Sequence, residues 1–149
     1  MQPCARKVVL PDARPFSGTE LGLDRSELQA QALLARRLML SRGELLGTAD
    51  MAEALRITRR DLIAAVRKGR IVSVEVDGFT YYPAFYGSRE YDRKALERVT
   101  RALGGMPGWS KLDFFTEFHG ALNMSPLAAL AERLVSQTIA LAKAVAAGY

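Results

Sequence analysis

Residues that form covalent cross-links or carry general acid–base chemistry are scarce in this sequence. Its 149 residues include a single cysteine, Cys4, and a single histidine, His119. One cysteine cannot form a disulfide within the chain, so nothing indicates an oxidising compartment. An ordinary hydrophobic core must therefore hold the fold, and the length allows one compact domain or two very small ones.

Long apolar runs without charge are also missing. Residues 1–15 contain no apolar stretch as long as that of a signal peptide. The most apolar segment, 126–147, carries Glu132, Arg133 and Lys143, which argues against a membrane span. We therefore expect a cytoplasmic protein with no membrane partner. Hydrophobic residues make up 49% of the chain and charged ones 25%, a balance typical of a folded globular protein.

Positive charge exceeds negative charge, with 21 lysines and arginines against 16 acids. A net charge of +5 favours a polyanionic partner, nucleic acid first. Residues 1–23 are predicted to be an irregular, basic arm because three prolines and two glycines interrupt any regular element. A frayed terminus is the favoured interpretation of this arm, and a segment contacting DNA or a partner is the alternative.

Residues 24–86 are predicted to be a helix followed by a winged helix-turn-helix. Apolar residues recur every three or four positions from Asp24 to Arg42, which predicts a helix with one apolar face. The members of this face are Leu28, Ala32, Leu34, Ala35, Leu38 and Met39.

Two short helices follow with a very brief connection. Thr48 is the expected N-cap of a helix over 49–55, and Thr58 that of a basic helix from Arg59 to Lys68. The intervening turn is only 56–58, which is typical of a helix-turn-helix. On the basic helix Leu62, Ile63 and Val66 are expected to face the core.

A change of period then predicts a β-hairpin. Hydrophobic residues alternate with polar ones over 71–76, and Asp77-Gly78 suits the two central positions of a type I′ turn. The return strand is predicted over 79–82 and ends at Pro83, which has no N–H to donate. The hairpin would be the wing.

Residues 87–149 are predicted to be a small helical region. Helices are expected over 92–103, over 109–118, and from Leu127 to about Ala147, the last one continuous and capped by Ser125 with Pro126 at its first turn. This last helix is apolar over most of its surface, so it needs burial on several sides or a partner. The expected fold class is mostly α with one β-hairpin.

Basic residues concentrate at the helix-turn-helix. Arginine at the start of the second helix can bond a guanine edge or a phosphate, and bases at its far end can contact phosphates beside the wing. The alternative is that they are surface arginines, some complementing the helix dipole. The candidate DNA-binding residues are Thr58, Arg59, Arg60, Arg67, Lys68 and Arg70.

Two aromatic clusters can be interpreted either as core packing or as contacts to a nucleic acid or protein partner. Tyr81, Tyr82, Phe85 and Tyr86 follow the wing, and core packing is favoured over stacking on single-stranded bases. The second cluster, around Trp109 and Phe115, is also expected to pack, although aromatics are common at partner interfaces. The candidate residues for partner binding or association of copies are Trp109, Phe115, Leu127, Leu130, Leu134 and Leu141.

Catalysis has little support. Asp113, Glu117 and His119 are close in sequence, but their spacing matches no metal motif, and no nucleophile elbow, P-loop or dinucleotide fingerprint occurs. We expect a protein that is not an enzyme and needs no cofactor or metal. A small enzyme using one of these three residues is the least favoured alternative.

Two families resemble parts of the chain. The segment 45–83, LLGTADMAEALRITRRDLIAAVRKGRIVSVEVDGFTYYP, resembles the winged head of excisionase and MerR-type proteins. The segment 82–130 is similar to the C-terminal region of Xre/MbcA/ParS-type antitoxins, through Pro83-Ala84-Phe85, Trp109, Phe114-Phe115-Thr116, Ala121-Leu122 and Pro126-Leu127-Ala128-Ala129-Leu130. Asn123-Met124 stands where that family usually has two glycines, and the family's usual Gly-Asp turn after the last motif has no counterpart here.

The second resemblance implies a region that binds a cognate toxin, often of the RES class acting on NAD, and that supports oligomerisation. It also implies a DNA-binding head that represses the protein's own operon. The expected function is therefore an antitoxin-type transcriptional regulator that binds double-stranded DNA and forms a homo-oligomer. The alternative is a protein-interaction module, such as a toxin inhibitor or phage adaptor, whose head no longer binds DNA.

Overall fold

The computed structural model describes residues 24–149, and the predicted arm over 1–23 lies outside them. The described chain is mostly α-helical with a small antiparallel sheet, as the sequence predicts. Residues 36–149 form one compact unit, and residues 24–35 are the described part of another. The elements in chain order are α1 (Arg25–Ser41), β1 (Leu45–Gly47), α2 (Thr48–Leu55), α3 (Arg59–Arg67), β2 (Val74–Val76), β3 (Phe79–Pro83), a 3₁₀ helix (Ala84–Gly87), α4 (Arg93–Ala102), α5 (Gly108–Thr116), α6 (Pro126–Ala131) and α7 (Val135–Ala147).

The helix-turn-helix forms where the sequence predicts it. The Thr58 hydroxyl accepts a hydrogen bond of 3.0 Å from the N–H of Asp61 and caps α3. Arg56 ends α2 in the left-handed conformation, with φ of 58°, and so reverses the chain within the short turn. Met51 and Leu62 are fully buried and hold the two helices on the core.

The first cap of this motif differs from the prediction. Gly47 occupies the N-cap position of α2 and makes no side-chain cap. Thr48 is instead the first helical residue, and its hydroxyl donates to the Tyr82 hydroxyl at 3.3 Å. The hydroxyl of Thr48 therefore links α2 to the sheet rather than satisfying the helix end.

The wing is a hairpin within a three-stranded sheet. Asp77 and Gly78 both have positive φ, 53° and 83°, as the predicted type I′ turn requires. The sheet order is β1-β3-β2, so a strand that the sequence analysis missed, β1, pairs with the other edge of β3. Pro83 does not end the pairing of β3, since it lies opposite Leu45 of β1.

The continuous final helix was a wrong prediction. Helix α6 ends before Arg133, which has φ of 66°, and α7 starts at Val135. The N–H of Leu134 returns to the carbonyl of Ala129 at 2.9 Å, which satisfies the helix end. The break changes the chain direction, so that α6 and α7 can each turn a different face to the core: Ala129 and Leu130 on α6, and Thr138 and Ala142 on α7.

The apolar face predicted for α1 is not buried. Within the described chain none of the residues of α1 is buried, and Leu28, Leu34 and Leu38 are about half exposed. The sequence pattern predicted the helix and its Asp24 cap, whose carboxylate accepts the N–H of Glu27 at 2.9 Å. It did not predict that this face would be left open to solvent.

A chain of buried hydrogen bonds joins the wing to the helical region. The N–H of Val72 donates to the Tyr86 hydroxyl at 3.1 Å, and the Thr100 hydroxyl donates to the carbonyl of Leu96 at 2.8 Å. Because the single hydroxyl proton of Thr100 is used, Tyr86 must donate to Thr100 across their 2.7 Å contact. Burial raises the pKa of Tyr86 far above its ordinary value, so the phenol stays protonated and keeps this role.

Replacing Tyr86 by phenylalanine tests this chain. Tyr86→Phe removes one oxygen and leaves the Val72 N–H and the Thr100 oxygen without that partner, which we expect to cost about 1–3 kcal/mol of unfolding free energy. Urea denaturation measures the change. Tyr91→Phe is the matched control, since the Tyr91 hydroxyl has no hydrogen bond among residues 24–149. Equal, small losses in both variants would contradict the structural role of the chain.

Candidate nucleic-acid interface

The outward face of α3 is a basic groove. Its residues lie at successive turns of the helix, at positions i, i+3, i+4, i+7 and i+8, and border a shallow, open volume of about 580 Å³. The lining residues are Arg60, Ile63, Ala64, Arg67 and Lys68. Three of the residues predicted to bind DNA are thereby brought together on one face.

Arg59 and Thr58 lie at the start of the same helix. Arg59 is exposed at its first position, and Thr58 uses its oxygen as the cap. Among the described residues the Thr58 hydroxyl proton has no acceptor, so it can donate to a phosphate while the cap persists. The positive end of the helix dipole adds to the attraction for anions here.

The exposed bases of this face have no acidic partner within residues 24–149. Ion pairs in that range involve other arginines, and Asp61 is the nearest acid along α3. Arg60, Arg67 and Lys68 therefore remain available for an anionic ligand. Hydrogen-bonding groups that face solvent without a partner can bind phosphates without first breaking an internal contact.

Arg70 is placed differently from the other predicted bases. Its guanidinium lies 3.8 Å from the carboxylate of Glu97, which Arg93 also approaches at 3.4 Å. The side chain of Arg70 is 37% exposed and points toward α4. The structure thus separates Arg70 from the basic groove and gives it a contact within the fold.

Ile63 also lies on this surface, contrary to its predicted place. It was expected in the core, but 44% of it is exposed, in the middle of the basic groove. Leu62 and Ala65 supply the buried face instead. The helical period could have shown this. Ile63 lies one turn from Arg60 and one turn from Arg67, so it shares their face of the helix, whereas Leu62 lies on the buried face.

The wing is held in place from the C-terminal end of α1. Arg37 donates to both carboxylate oxygens of Asp77 at the hairpin turn, at 2.9 and 3.0 Å. The Arg36 guanidinium lies 4.4 Å from the centre of the Trp109 ring, and the Trp109 indole N–H donates to the carbonyl of Glu75 at 3.3 Å. Phe79, next to the turn, is 66% exposed and marks the tip of the wing.

The residues predicted to contact a partner divide into two groups. Phe115 is fully buried and Leu130 nearly so, since they fill the core of this chain and cannot offer a surface. Phe115 packs against Phe85 and Phe114, with ring centres 5.0 and 5.8 Å away. The partly exposed group comprises Trp109, Leu127, Leu134 and Leu141.

The three residues of the enzymatic alternative do not form a linked site. Within residues 24–149 no side-chain hydrogen bond joins Asp113, Glu117 and His119; the N–H of Glu117 donates only to the backbone carbonyl of Asp113, at 3.0 Å. Burial and the nearby Glu117 raise the pKa of Asp113, while the His119 ring lies 5.0 Å from Phe114. Across 24–149, no group of three or more His, Cys, Asp or Glu residues could hold a metal ion.

Comparison of the chain with protein-family models, with curated proteins and with solved structures gives no match. Among the described helices none has the length and apolarity needed to cross a membrane.

The contact between Arg37 and Asp77 predicts a pH response of the wing. The hydrogen bonds and charge of Arg37 lower the pKa of Asp77 below its ordinary 3.8. The contact is therefore complete above pH 3.8 and is lost as the pH falls through the lowered value. Carbon-detected NMR titration of Asp77 should show this depressed midpoint, and Arg37→Gln should return it toward the ordinary value. An identical midpoint in both proteins would mean that the pair does not form in solution.

Proposed function

We propose that this protein is a DNA-binding transcriptional regulator that acts by binding, without catalysis, in the cytoplasm. The observation that carries the proposal is the exposed face of α3, which presents Arg60, Arg67 and Lys68 around Ile63. A capped, basic second helix of a helix-turn-helix has the shape and charge that the major groove of DNA accepts. The adjacent hairpin, fixed through Asp77, is suited to contact the neighbouring backbone.

Two groups of contacts follow from the chemistry of this face. Arg59 and Arg60 at the start of α3 are proposed to contact base edges, and Arg67 and Lys68 at its end to contact phosphates. Thr58 contributes a phosphate contact at the helix start. Arg70 acts indirectly, by holding the connection after α3 against α4 through Glu97.

The proposal extends to the antitoxin type of regulator, which represses its own operon and binds a cognate toxin, with a RES-class toxin as the proposed partner. Two backbone features support this extension. Asn123, where the resembled family has glycine, has φ of 57°, and Arg133 turns the chain after the Pro126–Leu130 motif, where that family has a Gly-Asp turn. Both positions adopt the left-handed conformation that glycine favours.

DNA binding is tested by fluorescence anisotropy of the full chain on DNA from upstream of its own gene. A scrambled duplex of equal length is the control, and both are titrated over a salt series. We expect tighter binding to the upstream DNA, with a logarithmic salt slope of about −0.9 for each phosphate contacted. Weak and equal binding to both duplexes would reject the regulator and favour the protein-interaction module. Co-expression with a RES-class toxin tests the toxin partner separately, since co-purification does not require DNA; absence of a complex would reject that partner.

The first variant to measure is Arg60→Ala. Loss of a base contact should weaken binding to the upstream DNA by about 1–3 kcal/mol and leave binding to the scrambled duplex nearly unchanged. Arg101→Ala, an exposed arginine on α4, is the matched control for charge. An equal loss on both duplexes would assign Arg60 to a phosphate, and no loss on either would remove α3 from the interface.

Ile63 provides a test of base reading that does not involve charge. An exposed aliphatic side chain on a helix in the major groove is suited to pack on the methyl group of thymine. Replacing the contacted thymine by deoxyuridine, which lacks this methyl, should weaken binding of the natural protein several-fold. The same replacement should have little further effect on Ile63→Ala. Equal sensitivity of both proteins at every thymine would show that Ile63 does not contact a base.

A further inference from the structure

One face of α1 has no partner in the described part of the chain. Leu28, Leu34 and Leu38 are 49%, 59% and 51% exposed. Toward the C-terminal end of α1 the opposite side carries Arg36 and Arg37, with the contacts described above. A helix of this length gains most of its stability from packing an apolar face, so an uncovered row of leucines indicates a missing partner.

The exposed face of α1 has the spacing of a coiled-coil seam. Its residues are separated alternately by four and three positions, a period of 3.5 that keeps one edge of a helix turned toward a second helix. The N–H of Arg42 bonds to the carbonyl of Leu38 at 3.0 Å, so the helical path reaches the last member. The seam consists of Asp24, Leu28, Gln31, Ala35, Leu38 and Arg42.

The seam is complementary to itself when reversed. The seam positions are symmetric about position 33. Each seam residue before that position has a counterpart at the same distance after it: an acid matches a base, a leucine matches a leucine, and an amide matches a small residue. In a parallel pair Asp24 would face a second Asp24 and Arg42 a second Arg42, so like charges would meet. An antiparallel pair forms two favourable layers on each side of its axis, Asp24 with Arg42 and Leu28 with Leu38, and it places Gln31 beside the small Ala35.

Leu34 fits the same arrangement. Leu34 lies beside the seam and close to its midpoint. The two-fold axis of an antiparallel pair would cross the helix at this level. In such a pair each Leu34 lies close to the Leu34 of the other helix, which covers the third exposed leucine. All three leucines of α1 that face solvent are therefore accounted for by one partner with the same sequence.

We propose that α1 forms an antiparallel two-stranded coiled coil with α1 of a second copy, giving a two-fold symmetric dimer. A two-fold interface uses the same patch on both copies, which is what the reversed complementarity of the seam provides. This assigns association to α1, whereas the sequence analysis expected it at the final helix. The dimer needs no DNA, so its failure would leave the regulator proposal unaffected.

Sedimentation equilibrium of the full chain without DNA tests the dimer. We expect a dimer for the natural sequence, and dimerisation at least about tenfold weaker for Leu38→Glu, which loses two apolar contacts and gains two buried charges. Gln29→Glu is the matched control, because position 29 is exposed on the other side of α1. Circular dichroism of each variant checks that the helices persist. A monomeric natural protein, or a Leu38→Glu variant that dimerises as before, would overturn the proposal.

The orientation is tested by mixing two charge variants. Asp24→Arg and Arg42→Asp should each dimerise less than the natural protein, since each places like charges opposite one another in both outer layers. Mixed in equal amounts they should form a heterodimer, because every outer layer then pairs an acid with a base. A parallel pair already has like charges in both layers, so it predicts no loss for Arg42→Asp, which decides the orientation. Asp24→Arg also removes the cap of α1 and serves only as the partner in the mixture. That result, or the absence of heterodimer, would overturn the antiparallel arrangement.

Discussion

The arrangement of the candidate site depends on one buried phenol. Tyr86 accepts from the N–H of Val72, at the root of the wing, and donates to Thr100 in the last turn of α4. Each lies 14 residues from Tyr86 along the chain, and the hydroxyl of Tyr86 satisfies polar groups of both where water cannot reach them. The end of α3, the wing and the helical region are thereby held as parts of one unit.

Close backbone packing supports the same junction. Helix α5 begins at Gly108, and a Cβ atom at this position would overlap the carbonyl oxygen of Ser73. Only glycine lets α5 approach the chain entering β2 so closely. Trp109, the next residue, then donates to the carbonyl of Glu75 on the edge strand. The outer edge of the sheet is covered in this way, which leaves fewer free groups for pairing with another chain.

Sequence reasoning succeeded where the cause of the structure is local. Thr58 and Asp77-Gly78 define a helix start and a turn through their own neighbours, so their geometry could be predicted. It failed for β1, since three residues become a strand only by pairing with β3, and for the break at Arg133, where tertiary packing imposes a backbone that arginine does not favour. The basic residues of the candidate site were predicted from their clustering at the helix-turn-helix. The exposure of Ile63 and the contact of Arg70 with Glu97 depend on the fold and were not predicted.

At Arg56, in the turn before α3, the backbone conformation favours glycine, whereas the attraction for DNA favours a positive charge. Its left-handed backbone costs about 1–2 kcal/mol that a glycine would avoid. Glycine at this place would make a more stable turn and would remove a positive charge two residues before the capped end of α3. Selection for heat resistance would therefore favour glycine at position 56, and selection for DNA binding would favour arginine.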